Sequence, residues 1–369
     1  MEYRQRVAVL SKHLGKKEID LAVLFDPANV RYITGFRLNR AASSILIING
    51  SGSLTFAVAR LDYERAKRDC WIEDENILFF PEDTKDYLKV LHQPLKKAKV
   101  VGIEEKSITH YQLSYLRQIC GDTLKLVSIE NDLSQFRAIK SQEEIEAIRR
   151  AAAIADEAMT KVFNMVKKGM TEAEVSSYAE YVMRTEGAEG ASFEPFLMSG
   201  ENAWLPQRLS SQKKLKEGEL MILDLGAIYE GYCSDLTRTF GLGDLTRAQE
   251  KIFKVALKAQ QAAIAAIKPG MIAAKIDAVA REIIQREGYG EYFPHLTGHG
   301  VGLSIHELPI IDKGVETPLT SGMVTTIEPG IYLAGVGAAR TEDMVLVTDT
   351  GYEVLTRAER ELILGQNLR

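Results

Sequence analysis

Five side chains in the C-terminal half of the chain, Asp224, Asp235, His299, Glu328 and Glu342, are of the types that hold hard divalent cations. They lie in three short stretches: MILDLGAIYEGYCSDLTRTF, LTGHGVGLSIHE and TTIEPG…ARTED. Four carboxylates and one imidazole are too few for two separate coordination shells, so a pair of cations would need bridging carboxylates. Asp224 sits between Leu223 and Leu225, where an unpaired charge is costly to bury, although a solvated position on an edge strand is the plainer alternative. Asp235 follows a Gly-containing turn, and if the flanking strands pair, the two aspartates face each other. Glu328 and Glu342 repeat the pattern. TTIE leaves the core, Pro329-Gly330 bends the chain, and ARTED returns. Glu328 alone could be a strand-end surface acid, but four converging acids need a common cation to cancel their repulsion.

Three of the six histidines, His295, His299 and His306, cluster on a glycine-rich turn. Gly298 and Gly300 allow close backbone approach around His299, which favours it as the ligand. His295 and His306 are then candidates for facing substrate, whereas His13, His92 and His110 read as structural. GHGVG has neither the spacing nor the strand–helix context of a dinucleotide-binding loop. Arg340, two residues before Glu342, could pair with a ligand carboxylate or bind a substrate anion. Arg238 near Asp235 could do the same or lie on the surface.

The elements that must position these groups are short strands and tight turns. Leu220–Gly226, Tyr232–Phe240, Met323–Glu328 and Met344–Thr348 read as strands of an antiparallel sheet. Helices are predicted over Gln142–Lys168, 171–185, about 247–267 and about 273–286. Thr171 with Glu172 and Glu174 marks one helix start, and Pro269-Gly270 one helix end. This half, residues 131–369, is an α+β catalytic domain. Residues 1–130 read as a smaller α/β domain with an opening helix, a strand at Leu21–Phe25 and hairpin arms at Ser44–Asn49 and Leu54–Ala57. A further strand at Val100–Ile103 and a helix at Tyr111–Ile119 complete it.

Bulk composition agrees with two domains: 369 residues, 46% hydrophobic, are too many for one ordinary core. With 46 Lys+Arg against 51 Asp+Glu, both dispersed, the net charge of -5 leaves no basic footprint for nucleic acid or an anionic membrane. Cys70, Cys120 and Cys233 are far apart and fit a reducing compartment. Charges interrupt any apolar core in the N-terminal stretch, so no export signal is expected there. No apolar run reaches the roughly 18 residues of a membrane span, so a cytoplasmic setting is expected.

The ordered set of ligand motifs, together with NVRYITGF at Asn29–Phe36, resembles the metallopeptidase family that contains methionine aminopeptidase, aminopeptidase P and the Xaa-Pro dipeptidases (prolidases). The resemblance covers nearly the whole chain. It implies a pita-bread (creatinase/aminopeptidase-like) catalytic domain behind a creatinase/prolidase-type N-terminal domain, which methionine aminopeptidases lack. It also implies that Asp224, Asp235, His299, Glu328 and Glu342 hold two divalent metals, Mn2+ or Co2+ first, with Zn2+ or Fe2+ as further options. His295 and His306 match histidines that contact substrate or the tetrahedral intermediate, and Arg340 matches an arginine that braces the metal cluster. The implied reaction is hydrolysis of an Xaa-Pro bond, with Glu328 as general base, by a homodimer acting on peptides with proline in second place.

Two departures stand out. SGENAWLPQ places Gln207 where the family usually has a substrate-site histidine, and HELPI places Ile310 where prolidases carry an arginine for the dipeptide carboxylate. These weaken a strict dipeptidase reading more than a hydrolase reading. They leave open an aminopeptidase P-like activity on longer peptides or a creatinase-like C–N hydrolase. Phe193, Phe196 and Trp204 are candidates for an apolar wall beside the proline.

Overall fold

The computed structural model describes residues 2–39, 42–80, 84–96, 98–121, 124–206, 209–362 and 364–365. The chain divides into two compact units, Met1–Phe136 and Arg137–Arg369.

In the first unit the strands are β1 (Leu21–Leu24), β2 (Ser44–Asn49), β3 (Leu54–Val58), β4 (Ile77–Phe79), β5 (Val100–Ile103) and β6 (Lys125–Ser128). They form one mixed sheet in the order β4-β3-β2-β1-β5-β6. The hairpin expected at β2 and β3 is present, pairing Ile45 with Ala57 and Ile47 with Thr55. The helices are α1 (Glu2–Lys16), α2 (Pro27–Thr34), α3 (Arg60–Asp69), α4 (His92–Leu95), α5 (His110–Cys120) and α6 (Glu130–Ala138). Pro27 opens α2 and the Asp26 side chain caps it, accepting from the Ala28 and Asn29 amides. Glu104, fully buried just after β5, accepts from the Phe25 and Asp26 amides and from Asn29 Nδ2. Burial pushes its carboxyl up to about 7.

The second unit builds on two helix pairs. The first is α7 (Gln142–Met165) with α8 (Glu172–Thr185), and the second is α9 (Arg247–Ala265) with α10 (Ala273–Arg286). Ser141, Thr171 and Thr246 start three of them with reciprocal capping boxes. The strands are β7 (Gly190–Ala191), β8 (Phe196–Ser199), β9 (Glu219–Leu225), β10 (Ala227–Tyr229), β11 (Tyr232–Cys233), β12 (Leu236–Leu242) and β13 (Gly298–Gly300). They continue with β14 (Glu307–Ile311), β15 (Val324–Ile327), β16 (Gly330–Leu333), β17 (Gly337–Arg340), β18 (Asp343–Val347), β19 (Tyr352–Val354) and β20 (Leu364–Gly365). A sheet ordered β20-β12-β9-β8 carries the first helix pair's half of the unit, and one ordered β14-β13-β15-β18-β19 carries the second. The single strand expected over Tyr232–Phe240 is broken, because the chain steps out of β11 at Ser234 and Asp235 before entering β12.

The backbone reveals a duplication too faint to read from the residues. Gly169 and Gly270 donate to Leu215 and Leu319, Glu172 and Ala273 to Lys213 and Thr317, and Ala173 and Ala274 to Ser211 and Val315. Both helix pairs thus use the same Gly-Met-x turn pinned to a passing segment, and Lys167 and Lys268, two residues before each glycine, add to the match. Two apolar clusters fill the space under the pairs, one around Met159, Val175 and Leu223, the other around Ile252, Ile276 and Ile327.

Candidate metal centre

Each candidate ligand position follows from local chain geometry. Asp224 lies in β9 opposite Thr237 of β12 and Phe196 of β8, so its carboxylate emerges inside the sheet. Asp235 follows Ser234, whose hydroxyl accepts from the Ala227 amide and donates to the Ala151 carbonyl. A Cβ at Gly226 would fall 2.0 Å from the Ser234 carbonyl oxygen, so the turn joining the aspartates admits glycine alone. His299 sits at the middle of β13. Cβ atoms at Gly298 and Gly300 would fall 1.9 and 2.1 Å from the carbonyl oxygens of Thr326 and Leu308, so the neighbouring strands close directly on this segment. Glu328 leaves β15 with its amide bonded to the Thr297 carbonyl, and Glu342 enters from β17 with its amide on the Thr237 carbonyl.

All five side chains meet. Ligand atoms of Asp235, His299 and Glu342 lie within 4.8 Å of one another. His299 Nε2 is 3.5 Å from Asp235 Oδ2 and 3.3 Å from Glu328 Oε1. Asp224 joins through an ion pair with Arg340. Two oxygens of this buried group, Asp224 Oδ1 and Glu342 Oε1, have no hydrogen-bond partner. Buried acceptors left this way cost free energy unless something else satisfies them. A hard cation is the partner that fits four carboxylates and an imidazole, and carboxylate bridging suits two such ions.

The electrostatics point the same way. Burial pushes the carboxyls of Asp224, Asp235 and Glu342 up, and repulsion from neighbouring carboxylates, Glu328 foremost at Asp224 and Glu342 and Glu342 at Asp235, adds to it. Glu328 goes the other way. Burial opposes its ionisation, yet the hydrogen bond and charge of His299 outweigh that and hold it at about 2. The same contact raises His299 against its own burial.

Around the ligands runs a network the sequence did not announce. Thr237 Oγ1 donates to Glu342 Oε2 at 2.7 Å and accepts from Arg340 Nε at 3.2 Å. Arg340 also donates to the Tyr332 hydroxyl, which is 2.9 Å from His295 Nε2. His295 Nδ1 lies 2.8 Å from the Leu296 carbonyl, an acceptor, so that nitrogen carries the proton and Nε2 accepts from Tyr332. Burial pushes the Tyr332 hydroxyl up to about 12, so it remains a donor. Nothing in GIYL marks Tyr332 as functional, and only its register opposite Ala338, two pairings from Arg340, places it. Arg238 turns inward, fully buried, and its ion pair is with Asp343, at 2.8 Å.

A cavity of about 550 Å3 opens onto the ligands, walled by Phe193, Phe196, Pro206, Leu209, Leu296 and Ile305, with Glu194, His295 and His306 among its polar residues. Trp204 is not among its lining residues, and Gln207 lies outside the described residues. Ile310 pairs with His299 across β13 and β14. His306 is exposed at the cavity, its ring centroid 4.4 Å from that of His299. The wall strand β8 and the loop after it hang on Glu172, fully buried at the start of α8. Its carboxylate accepts from the amides and hydroxyls of Ser199 and Ser211 and from Asn202. The sequence suggested only a helix-start acid there.

Comparison with known proteins supplies an independent frame. Residues 146–349 match Metallopeptidase family M24, and residues 6–139 match the Creatinase/Prolidase N-terminal domain. The Xaa-Pro dipeptidase of Pyrococcus furiosus is 37% identical over 98% of this chain and 100% of its own length. The crystal structure of the prolidase from Pyrococcus horikoshii OT3 is similar with a TM-score of 0.90 at 36% identity, covering 98% of this chain and all of that one. The X-Pro aminopeptidase from Thermotoga maritima MSB8 follows with 0.84 at 32% identity, covering 96% and 99%.

Proposed function

Because the chain belongs to metallopeptidase family M24, with the pita-bread catalytic fold, we propose that it is a metal-dependent Xaa-Pro dipeptidase. The observation that carries this reading is the meeting of Asp235, His299 and Glu342 with Asp224 and Glu328 at the floor of one cavity. Those five side chains would hold two divalent cations, which when bound supply Lewis-acid activation of water and of the scissile carbonyl. The hard donor set suits any of several divalent ions, and the resemblance to prolidases makes Mn2+ or Co2+ the proposed occupant, ahead of Zn2+ or Fe2+.

The chain's own residues then divide the work. Glu328 stays ionised and faces the cavity, so it is the side chain placed to take the proton from the attacking water. Burial and the neighbouring His299 lower the His306 imidazole, which leaves it neutral with one N–H to offer the carbonyl oxygen as charge develops there. His295, with both ring nitrogens engaged, positions the cavity wall through Tyr332. Phe193, Phe196 and Ile305 present apolar surface to a proline ring, which has no amide N–H to satisfy.

One observation favours a second reading, an aminopeptidase acting on longer Xaa-Pro peptides. Among the described lining residues the only arginine or lysine is Arg340, and it is held by Asp224 and Tyr332. Among the described lining residues a dipeptide's free carboxylate therefore finds no uncommitted arginine or lysine. Hydrolysis of Ala-Pro and Ala-Pro-Ala by the manganese-loaded protein tests both. Preference for the dipeptide supports the first reading and preference for the tripeptide the second. Activity on neither, with two metals bound, overturns both.

A further inference from the structure

We propose that Arg137, Lys140 and Glu307 form an ionic clamp whose task is to position His306 for the reaction. The residue next to His306 is absent from the cavity lining and fixed at both oxygens. Glu307 Oε1 accepts from Lys140 Nζ at 2.6 Å, and Oε2 pairs with Arg137 Nη2. The same Arg137 nitrogen donates to Ser304 Oγ at 2.8 Å, and the Ser304 amide points to Glu307 Oε2 at 3.4 Å. All three charged side chains are at least nine-tenths buried, Lys140 to 99%. Both cations come from one short segment, whose course is itself pinned by the Lys140 amide on the Gly322 carbonyl.

The loop so gripped is short and irregular. Register slips between His299 and Gly300, so that Gly300 opposes Glu307 with Leu308 and Pro309 as the extra residues, while Val301 to His306 form the loop that joins the two strands. Gly302 underlies the clamp, since a Cβ there would fall 2.1 Å from Glu307 Oε1. Its carbonyl accepts from the Cys233 amide, two residues before the ligand Asp235. Ile305 and His306 are the loop residues that line the cavity. Burying two cations on one carboxylate is a weak source of stability compared with apolar packing of the same volume. What it provides is a fixed geometry, and a displacement of about 1 Å at a group that must meet developing charge can cost 100-fold in rate. The inference rests on His306 facing substrate, as the proposed function has it.

Glu307→Gln and Lys140→Met, each with and without His306→Ala, test it in the full-length manganese-loaded protein. Both single variants are expected to lose kcat on Ala-Pro about 10- to 100-fold with bound metal unchanged and KM moved far less. In the His306→Ala background neither should cause further loss, because the clamp acts through that ring. Hydrogen exchange over 301–306 should quicken in both. Full kcat with unchanged exchange, or an undiminished loss on top of His306→Ala, overturns the clamp. If Glu307→Gln does not fold, Lys140→Met carries the same cycle. If the wild type cleaves no Xaa-Pro peptide, the functional reading fails separately, and the exchange measurement still decides whether Glu307 holds the loop.

Discussion

Arg340 serves two masters at the centre of the site: it neutralises Asp224 and it steers the Tyr332 hydroxyl toward His295. Removing that hydroxyl leaves a buried guanidinium N–H and an imidazole nitrogen without their shared partner. Hydrogen bonds to charged groups contribute about 1.5–3 kcal/mol, so Tyr332→Phe should lower kcat roughly 10- to 100-fold. Metal content, measured by plasma mass spectrometry, should stay at the wild-type level, since no proposed ligand is touched. The candidate carboxylates were legible in the sequence because an acid set inside an apolar strand is costly to bury unless a cation meets it, and His299 because glycines flank it. Tyr332 and Thr237 were not, because a tyrosine or threonine in a strand is ordinary, and their work depends on register across β16, β17 and β12. The same blindness applied to Arg238, whose pairing with Asp343 inside the core depends on a strand neighbour distant in sequence.

At the level of elements, the site depends on strands approaching more closely than side chains allow. A methyl at Gly300 would fall 2.1 Å from a backbone oxygen that cannot swing aside. Gly300→Ala should therefore cost about 2–3 kcal/mol of stability and displace His299, weakening metal retention. Thermal melting and metal titration measure the two effects. Glu172 acts on the cavity wall: Glu172→Gln keeps the shape but replaces one acceptor oxygen by a donor facing Ser199 or Ser211. KM for Ala-Pro is expected to rise several-fold with kcat less affected, because the wall binds and the ligands react. One helix start was readable from its cap, since Thr171 starts the helix it was expected to start, whereas the capping role of Ser141 before Gln142 was not read from the sequence. The break between β11 and β12 was not readable. A β-prone run of aromatic, threonine and apolar residues from Tyr232 to Phe240 gives no sign that Asp235 must step out of the ladder to reach its place in the site.

For the molecule as a whole, the first unit carries its own pH dependence. Glu104 has a folded pKa of about 7, above the ordinary 4.5 of an unfolded glutamate. A raised carboxyl favours the protonated fold, so its contribution is fully present below about pH 4.5 and is lost as pH rises through 7. The loss is on the order of 3 kcal/mol. Glu104→Gln should flatten that part of the stability profile, seen as a smaller difference between denaturation midpoints at pH 5 and pH 8 than in the wild type. No described helix is long and apolar enough to cross a membrane. The α+β architecture followed from the alternation of periodic helices and short strands. The internal duplication did not, because it survives in backbone hydrogen bonds and hardly at all in side chains. It has a consequence for descent. One copy contributes the aspartate pair and the other the glutamate pair, so each copy within the second unit holds half a basin. A forebear with a single copy could have closed such a basin only by meeting its own twin, and fusing the two freed each copy to specialise. The lone histidine at β13, with no counterpart named among the ligands of the first copy, is what that freedom looks like.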